Sequence, residues 1–413
     1  MIIKRDYYLQ QLISSKSNNL IKIVTGIRRS GKSFLLFNLF HNHLIETGIS
    51  EDHIIEIALD DRLNKNLRDP DVILQHIHER MVDDRLYYII LDEVQMIDEF
   101  TDVLNSLLHI RNADVYVTGS NSKFLSKDVV TEFRGRGDEI HLFPLSFAEL
   151  YNSIGGDKFE LWKSYYTYGG LPGILELDSE KKKAAYLRSL HETVYLKDII
   201  ERNNLKNSEE FMELMRVTAS CIGSPCNPSK LENTFKSVKN ETLDRKTISK
   251  YLSYMEDAFL IEKSMRYDIK GRKYIGTLSK YYFQDIGLRN ALLNFRQVEE
   301  NHIMENVIYN ELRLRGFCVD VGMVEARTAK ERKQLEVDFV ANMADRRYYI
   351  QSAFAMPDDD KREQECASLK RIDDSFKKII IMRDDIKPYH DNNGFYIVGL
   401  MDFLLKPDLI EQL

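Results

Sequence analysis

Residues 20–36 read Leu20-Ile-Lys-Ile-Val-Thr-Gly26-Ile-Arg28-Arg29-Ser30-Gly31-Lys32-Ser33-Phe34-Leu-Leu36. A short β-branched run leads into G-x-x-x-x-G-K-S, and an apolar helical pattern follows. That is a phosphate loop in its required setting, strand before and helix after. Gly26 and Gly31 permit backbone angles and close approaches that a Cβ would block. Successive N–H groups of the loop then curl around an anionic phosphate at the positive end of a helix. Lys32 is expected to reach the β- and γ-phosphates, and the Ser33 hydroxyl to ligate Mg²⁺. The nucleotide-binding set read from the motif is Gly26, Arg28, Arg29, Ser30, Gly31, Lys32, Ser33 and Phe34.

A second motif answers the first. Leu86-Tyr-Tyr-Ile-Ile-Leu-Asp92-Glu93 is an apolar run ending in two acids, the pattern of a buried parallel strand. An acid at the carboxyl end of such a strand faces the crevice where α/β ligands bind. Asp92 is expected to hold Mg²⁺, directly or through water. Glu93 is expected to orient and deprotonate an attacking water. The paired acids favour nucleotide hydrolysis over small-molecule phosphorylation.

The chain has 413 residues, enough for two to four domains. With 58 basic against 65 acidic residues the net charge is −7. That excludes nucleic-acid binding over the whole surface and leaves room for a local basic patch. Cys221, Cys226, Cys318 and Cys366 offer one close pair, C-x₄-C, with no nearby His. This is a poor zinc site, and the cysteines read as small hydrophobes. No apolar run approaches the ~20 residues that span a bilayer. The start, MIIKRDYYLQ, lacks the apolar core of a signal peptide. A cytoplasmic location without membrane contact is expected.

Residues 1–150 alternate strand-like segments (20–25, 53–59, 86–92, 113–118, 139–143) with helix-like ones (31–47, 70–82, 98–109, 122–133). That order predicts an α/β fold, a P-loop NTPase core whose parallel sheet lies between helices. The strand at 113–118 ends in Ser120-Asn121-Ser122, which either senses the γ-phosphate or caps a helix. Arg134 and Arg136, set among glycines, suit either an arginine finger or a solvated turn. Residues 151–205 read as a helical lid or neck broken by Tyr168-Gly-Gly-Leu-Pro-Gly173. Residues 206–270 read as a small helical unit closed by a short hairpin at 260–268, the helix–turn–helix–hairpin order of a winged helix. Within 227–250, Lys230, Lys236, Lys239, Arg245, Lys246 and Lys250 face Glu232, Glu241 and Asp244. This segment either contacts DNA or packs on protein. Engaging all six basic groups would give a log–log salt slope of about −5. Residues 271–413 show a strand turning into a helix at 280–289 and a helix at 299–314. Strands follow at 317–321, 335–341 and 347–353, a helix at 359–372, strands at 377–382 and 395–398, and a frayed end after Lys406-Pro407.

Taken together, these motifs resemble the prokaryotic AAA-like ATPases that carry a C-terminal domain of unassigned function. The matching marks are the phosphate loop, Leu91-Asp-Glu-Val-Gln95, Thr118-Gly-Ser-Asn-Ser122 and Phe133-Arg-Gly-Arg136. Phe143-Pro-Leu-Ser-Phe-Ala-Glu149, Gly169-Gly-Leu-Pro172 and Tyr282-Phe-Gln-Asp-Ile-Gly-Leu-Arg289 complete them. The resemblance implies ATP and Mg²⁺ as cofactors, a catalytic Glu93, and contributions from Asn121, Arg134 and Arg136. It also implies a winged-helix middle and a C-terminal end similar to the PD-(D/E)XK nuclease fold. In that pattern Glu305 and Asp338 match, but Gln351 stands where a Glu belongs and Ala353 where a Lys belongs. A neutral amide binds a hard cation weakly, and Ala cannot activate water, so a scaffold without nuclease activity is expected. Two functions compete: an ATPase coupled to its C-terminal modules, and a non-hydrolysing nucleotide-gated switch for DNA or protein. A homo-oligomer is compatible with both.

Overall fold

The computed structural model describes residues 3–120, 136–239, 243–327, 332–410 and 412. Asn121, Arg134 and the helix expected at 122–133 lie outside them. The chain divides into two compact units, Met1–Leu145 with Asp257–Phe259, and Ser146–Glu256 with Leu260–Leu413. Among the described residues no helix is long and apolar enough to cross a membrane.

The first unit is built on five parallel strands: β1 Ile21–Thr25, β2 Ile54–Ala58, β3 Tyr87–Asp92, β4 Ala113–Thr118 and β5 Gly137–His141. Their order is β2-β3-β4-β1-β5. Strands β1, β3 and β4 are buried along nearly their whole length, as the middle of a sheet covered on both faces requires, while the edge strand β5 is buried only at Ile140. Ile23, Ile55, Ile89 and Val115 meet Ile73, Ile77, Val103 and Leu107 in one core. Asp69 caps the helix Pro70–Arg80 by accepting the N–H groups of Asp71 and Val72. Strand β5 starts two residues before the expected position. Its pairing with β1 begins at Ile21↔Gly137, so register recruits a Gly and an Asp that local preference would leave in a loop. Lys22, inside the apolar run of β1, is fully buried and pairs with Asp114 on the neighbouring β4.

The second unit opens with helices Phe147–Ile154, Lys158–Tyr168, Glu180–Leu190 and Lys197–Asn203. Helices Ser208–Ser220, Pro228–Lys239 and Arg245–Asp257 follow. An eight-stranded sheet completes the unit. Its strands are β6 Ile261–Asp268, β7 Lys273–Phe283, β8 Cys318–Arg327, β9 Arg332–Met343, β10 Arg346–Ala353, β11 Lys377–Met382, β12 Tyr389–His390 and β13 Tyr396–Gly399. The order is β12-β13-β11-β10-β9-β8-β6-β7.

Here the structure departs from the sequence reading. The short hairpin expected inside 260–268 is one strand, β6, because no Gly, Pro or Asn interrupts it and Ser264 instead donates to the Val319 carbonyl of the neighbouring strand at 3.0 Å. The turn falls at 269–272, where the Gly271 N–H donates to Asp268 Oδ1 at 2.9 Å. The return strand is β7, and β6 also pairs in parallel with β8 through Arg266↔Val321. The expected boundary at 270 therefore lies within a hairpin turn of one continuous sheet. The C-terminal end differs too: Pro407–Ile410 forms a helical turn with Ile410 fully buried.

Two motifs of the second unit explain each other. Asp285 caps the helix Ile286–Leu292 through the Leu288 N–H at 2.9 Å and accepts the Gly170 N–H at 2.8 Å. Burial pushes its carboxyl up to about 6, although N–H groups of Leu288, Gly170, Gly287 and Leu171 pull it down. Asn290 Nδ2 donates to the carbonyls of Tyr166 and Thr167, each at 2.9 Å. A Cβ on Gly287 would lie 2.0 Å from the Tyr168 carbonyl oxygen. Gly-Gly-Leu-Pro and Gln-Asp-Ile-Gly-Leu-Arg-Asn are thus the two halves of one helix contact.

Candidate functional site

The phosphate loop joins β1 to a helix that starts at Lys32–Phe34, widens to π geometry over Leu35–Phe40 and ends as His41–Glu46. Gly26, Arg29 and Gly31 all have positive φ, at 136°, 64° and 100°. At Gly26 the constraint is also steric, since a Cβ would stand 2.2 Å from the Leu142 carbonyl oxygen. The loop is held from behind by Arg5, which sequence reasoning missed. Its guanidinium donates to the Ser30 carbonyl at 3.2 Å and to the Phe143 carbonyl at 2.8 Å, and stacks on Tyr8. Neither the position of Arg5 nor its burial carries a sequence signal.

Lys32 is buried, and its ammonium donates to the Gly26 carbonyl at 3.0 Å and the Ile27 carbonyl at 3.2 Å. Burial lowers its pKa, while the nearby Glu93 and Asp92 raise it. The lysine is thus a desolvated cation resting on the rim of its own loop. Ser30 Oγ, also buried, has no partner among the described residues. Phe34 and Arg29 are exposed.

The sheet order places β4 between β1 and β3, so the end of β4 stands between the phosphate loop and the acidic pair. Its hydroxyls knit the two together. Ser33 Oγ donates to Asp92 Oδ2 at 2.7 Å, and Thr118 Oγ1 donates to Asp92 Oδ1. Thr118 Oγ1 accepts the Glu93 N–H at 2.8 Å. Ser120 Oγ donates to Glu93 Oε2 at 3.1 Å and accepts from Arg28 Nε at 3.3 Å. Gln95 Nε2 also donates to Glu93 Oε2. Glu93 itself is left-handed, φ 53°, which turns the chain sharply at the strand end. Burial raises the Asp92 pKa, opposed by the hydrogen bonds from Thr118 and Ser33. Ser33 and Asp92 fit a hard cation: two oxygen donors lie side by side, and Ser33 is exposed, leaving other positions to phosphate and water.

Arg136 does not join this group. It is exposed and directly precedes β5, and its carbonyl accepts the Ile21 N–H at 3.0 Å. It therefore lies at the N-terminal edge of a parallel sheet whose phosphate loop leaves the C-terminal edge. Five strand residues separate the two, about 16 Å at ~3.3 Å per residue. No arginine side chain spans that distance within one chain.

A second charged cluster lies in the eight-stranded sheet. The Lys280 ammonium of β7 sits 2.8 Å from Glu305 Oε1, 2.7 Å from Glu336 Oε1 and 3.8 Å from Asp338 Oδ1. Tyr282 donates to Glu305 Oε1 at 2.8 Å, and the Ser352 N–H donates to Asp338 Oδ2 at 2.8 Å. Burial pulls the Lys280 pKa down, but the three carboxylates outweigh it and hold it above the ordinary lysine range. Sequence reasoning found Glu305 and Asp338 but neither Glu336 nor Lys280. Ala353 is buried, and Gln351 Oε1 has no partner among the described residues. In the basic segment 227–250, Lys236 and Arg245 are both tied to Glu232, at 2.7 and 2.6 Å. Lys230, Lys246 and Lys250 have no carboxylate partner among the described residues.

Residues 18–151 match the family model of an AAA domain. An uncharacterised protein of Haemophilus influenzae is 33% identical over 414 residues, covering 98% of this chain and 99% of its own length. The chain belongs to the same protein family. An uncharacterised protein of Methanocaldococcus jannaschii is 29% identical, covering 90% of this chain and 82% of its own length. Residues 159–299 match a domain of unknown function, DUF8612, a span that runs through both the neck and the β6–β7 hairpin. Among solved structures, Cdc6p of Pyrobaculum aerophilum is similar at 12% identity and a TM-score of 0.31, over 75% of this chain and 95% of that one. The AAA domain match and the five parallel strands make the first unit an AAA-like P-loop core.

Proposed function

We propose that this chain is a Mg²⁺-dependent ATP hydrolase that turns ATP into ADP and phosphate. The observation that carries the reading is the chain of contacts from Ser33 through Asp92 and Thr118 to Glu93, Ser120 and Arg28. It joins a phosphate cradle to a carboxylate held ready for a water. Lys32 leaves the Gly26 and Ile27 carbonyls for the β- and γ-phosphate oxygens. Glu93, aimed by Ser120 and Gln95, accepts the proton of the attacking water. Ser33 and Asp92 would hold Mg²⁺, which neutralises charge between the two phosphates. An arginine finger from Arg136 requires a second copy of the chain, so a homo-oligomer is part of the proposal; Arg134 and Asn121 are assigned to the same step by the resemblance alone.

Hydrolysis is coupled to the second unit, whose helices at 208–257 with β6 and β7 we read as a winged helix. The sheet from β8 to β13 is read as PD-(D/E)XK-like and inactive, a reading supported by the ammonium of Lys280 lying among its carboxylates. DNA is the proposed partner of Lys230, Lys246 and Lys250.

The test is phosphate release from Mg·ATP by the full chain, with and without duplex DNA, beside Lys32→Ala. Turnover that disappears in the variant supports an ATPase, and stimulation by DNA supports coupling. Equal turnover in both proteins overturns the proposal. ATP bound without turnover replaces it with a nucleotide-gated switch.

A further inference from the structure

Beneath the β6–β7 turn the second unit holds a cavity of about 490 Å³, bordered by Tyr267, Lys270, Arg272, Arg347, Asp373 and Phe376. This is the size range of small-ligand sites. Its distinctive member is Arg347. The guanidinium carbon lies 5.6 Å from the Tyr267 ring centre and 5.2 Å from that of Phe376. Its Nε donates to Asn342 Oδ1 at 2.7 Å. The fork is thus fixed in place, with the Tyr267 and Tyr349 hydroxyls beside it and the Asp320 charge nearby, yet no carboxylate of the described residues pairs with it at salt-bridge distance. Arg272, on the turn itself, is exposed and likewise has none.

The nearby acids are engaged elsewhere. Asp374 accepts from the Tyr349 hydroxyl at 2.6 Å. Asp373 meets Lys270 at 3.7 Å, an exposed pair of little weight. Of the charged residues lining the cavity, Lys270, Arg272 and Arg347 outnumber Asp373 and Asp374. A positive surplus thus collects on a chain whose total charge is −7. Aromatic surface continues past the rim. Tyr274 is 57% exposed, meets Tyr267 edge-on with ring centres 5.4 Å apart and donates its hydroxyl to Asp320 at 3.1 Å, and Phe376 is 37% exposed.

We propose that this pocket and its flanking rings bind single-stranded nucleic acid. Guanidinium groups outside any ion pair match backbone phosphates, and flat exposed rings match unstacked bases. Arg347 and Arg272 take phosphate oxygens, while Tyr274 and Phe376 carry successive bases. A duplex offers the phosphates but keeps its bases stacked, so the rings discriminate against it. A lone mononucleotide fills the pocket but leaves Tyr274, which lies beyond it, unused. The site is separate from the basic helices at 227–250 and does not rest on ATP hydrolysis.

The experiment is fluorescence anisotropy of the full chain with labelled oligo(dT) of about 12 nucleotides, within the range of single-strand site sizes. Wild type is compared with Tyr274→Ala and Arg272→Ala, both exposed positions, with melting temperature and ATP affinity as folding controls. Tyr274→Ala is expected to weaken oligo(dT) binding by about 5- to 100-fold, the range of one lost base stack, and Arg272→Ala to weaken it and make the log–log salt slope shallower by about 0.7, with both controls unchanged. Absence of oligo(dT) binding by the wild type overturns the proposal. So do variants that bind like wild type, duplex binding that the same variants weaken equally, and displacement by dTMP or polyglutamate at matched concentration.

Discussion

Replacing Lys280 by Met tests the charged cluster of the second unit most directly. Met keeps much of the apolar stem and removes the ammonium that Glu305, Glu336 and Asp338 share at 2.8, 2.7 and 3.8 Å. The Lys280 side chain is 2% exposed, and those of Glu305 and Asp338 are each 11% exposed, so water cannot replace the lost partner. Glu336, at 28% exposure, hydrates more easily and contributes less. Removing one member of such a buried set costs about 3–5 kcal/mol. At ~2–4 °C per kcal/mol for a large domain, melting falls by roughly 6–20 °C. The loss also has a pH signature. Burial first, then Glu305, pushes Asp338 up to about 8, while Lys280 pulls it down. A carboxyl raised above its unfolded value of about 4 stabilises the fold at low pH and loses that contribution as pH rises toward its folded value. Without Lys280 the carboxylates repel unchecked, so the deficit of Lys280→Met is larger at pH 8 than at pH 5. Calorimetry of the full chain at both pH values measures it, and Glu305→Gln added to Lys280→Met recovers part of the loss. A deficit below ~1 kcal/mol at pH 8, well short of a broken buried pair, refutes the reasoning. So does an equal deficit at both pH values.

Four further outcomes follow from the same geometry. Glu93→Gln lowers ATP turnover by about 10²–10⁴ while leaving ATP affinity intact, because only the proton acceptor is lost; unchanged turnover in a phosphate-release assay removes Glu93 from the mechanism. Gly26→Ala drives a methyl to 2.2 Å from the Leu142 carbonyl oxygen, so ATP binding measured by calorimetry is lost, and a variant that binds normally contradicts that close approach. Arg5→Met strips the donors from the Ser30 and Phe143 carbonyls, at about 1–3 kcal/mol for each group left unsatisfied; weaker ATP binding together with a lower melting temperature is the expected pair of readouts. With Lys236 and Arg245 tied to Glu232, four of the six basic residues remain for phosphates, and the duplex-DNA salt slope is about −3.6 rather than −5; a flat response assigns the segment to protein contacts.

The site of the first unit was legible in the sequence because its chemistry is local. Gly26 to Ser33 and Asp92-Glu93 are contiguous runs whose spacing fixes strand, turn and helix. Arg5 was not legible, since its partners Ser30 and Phe143 lie 25 and 138 residues away and nothing in its neighbourhood marks it. Lys280 and Glu336 were hidden for a related reason. The sequence pattern assigns catalytic positions along one strand, at Gln351 and Ala353, whereas the charges that actually converge on Asp338 come from β7, from the helix Glu300–Leu314 and from two residues earlier on β9 itself. The hairpin boundary failed because β6 has no breaker and its continuation into the larger sheet is set by pairing with β8, which only the folded chain reveals.

The sharing of β6 and β7 between the helices before them and the strands after them constrains how such a protein diversifies. A crossover or insertion at residue 270 would look harmless in sequence, in a turn rich in Lys, Gly and Arg. Exchange of everything downstream, however, would ask a foreign β8 to accept the register Arg266↔Val321, Tyr267↔Gly322 and Asp268↔Met323, with a one-residue slip inverting every side chain. The three-helix segment and the C-terminal sheet are therefore tied by one register, and a chimera joined at residue 270 is expected to fold only where the incoming β8 keeps that pairing.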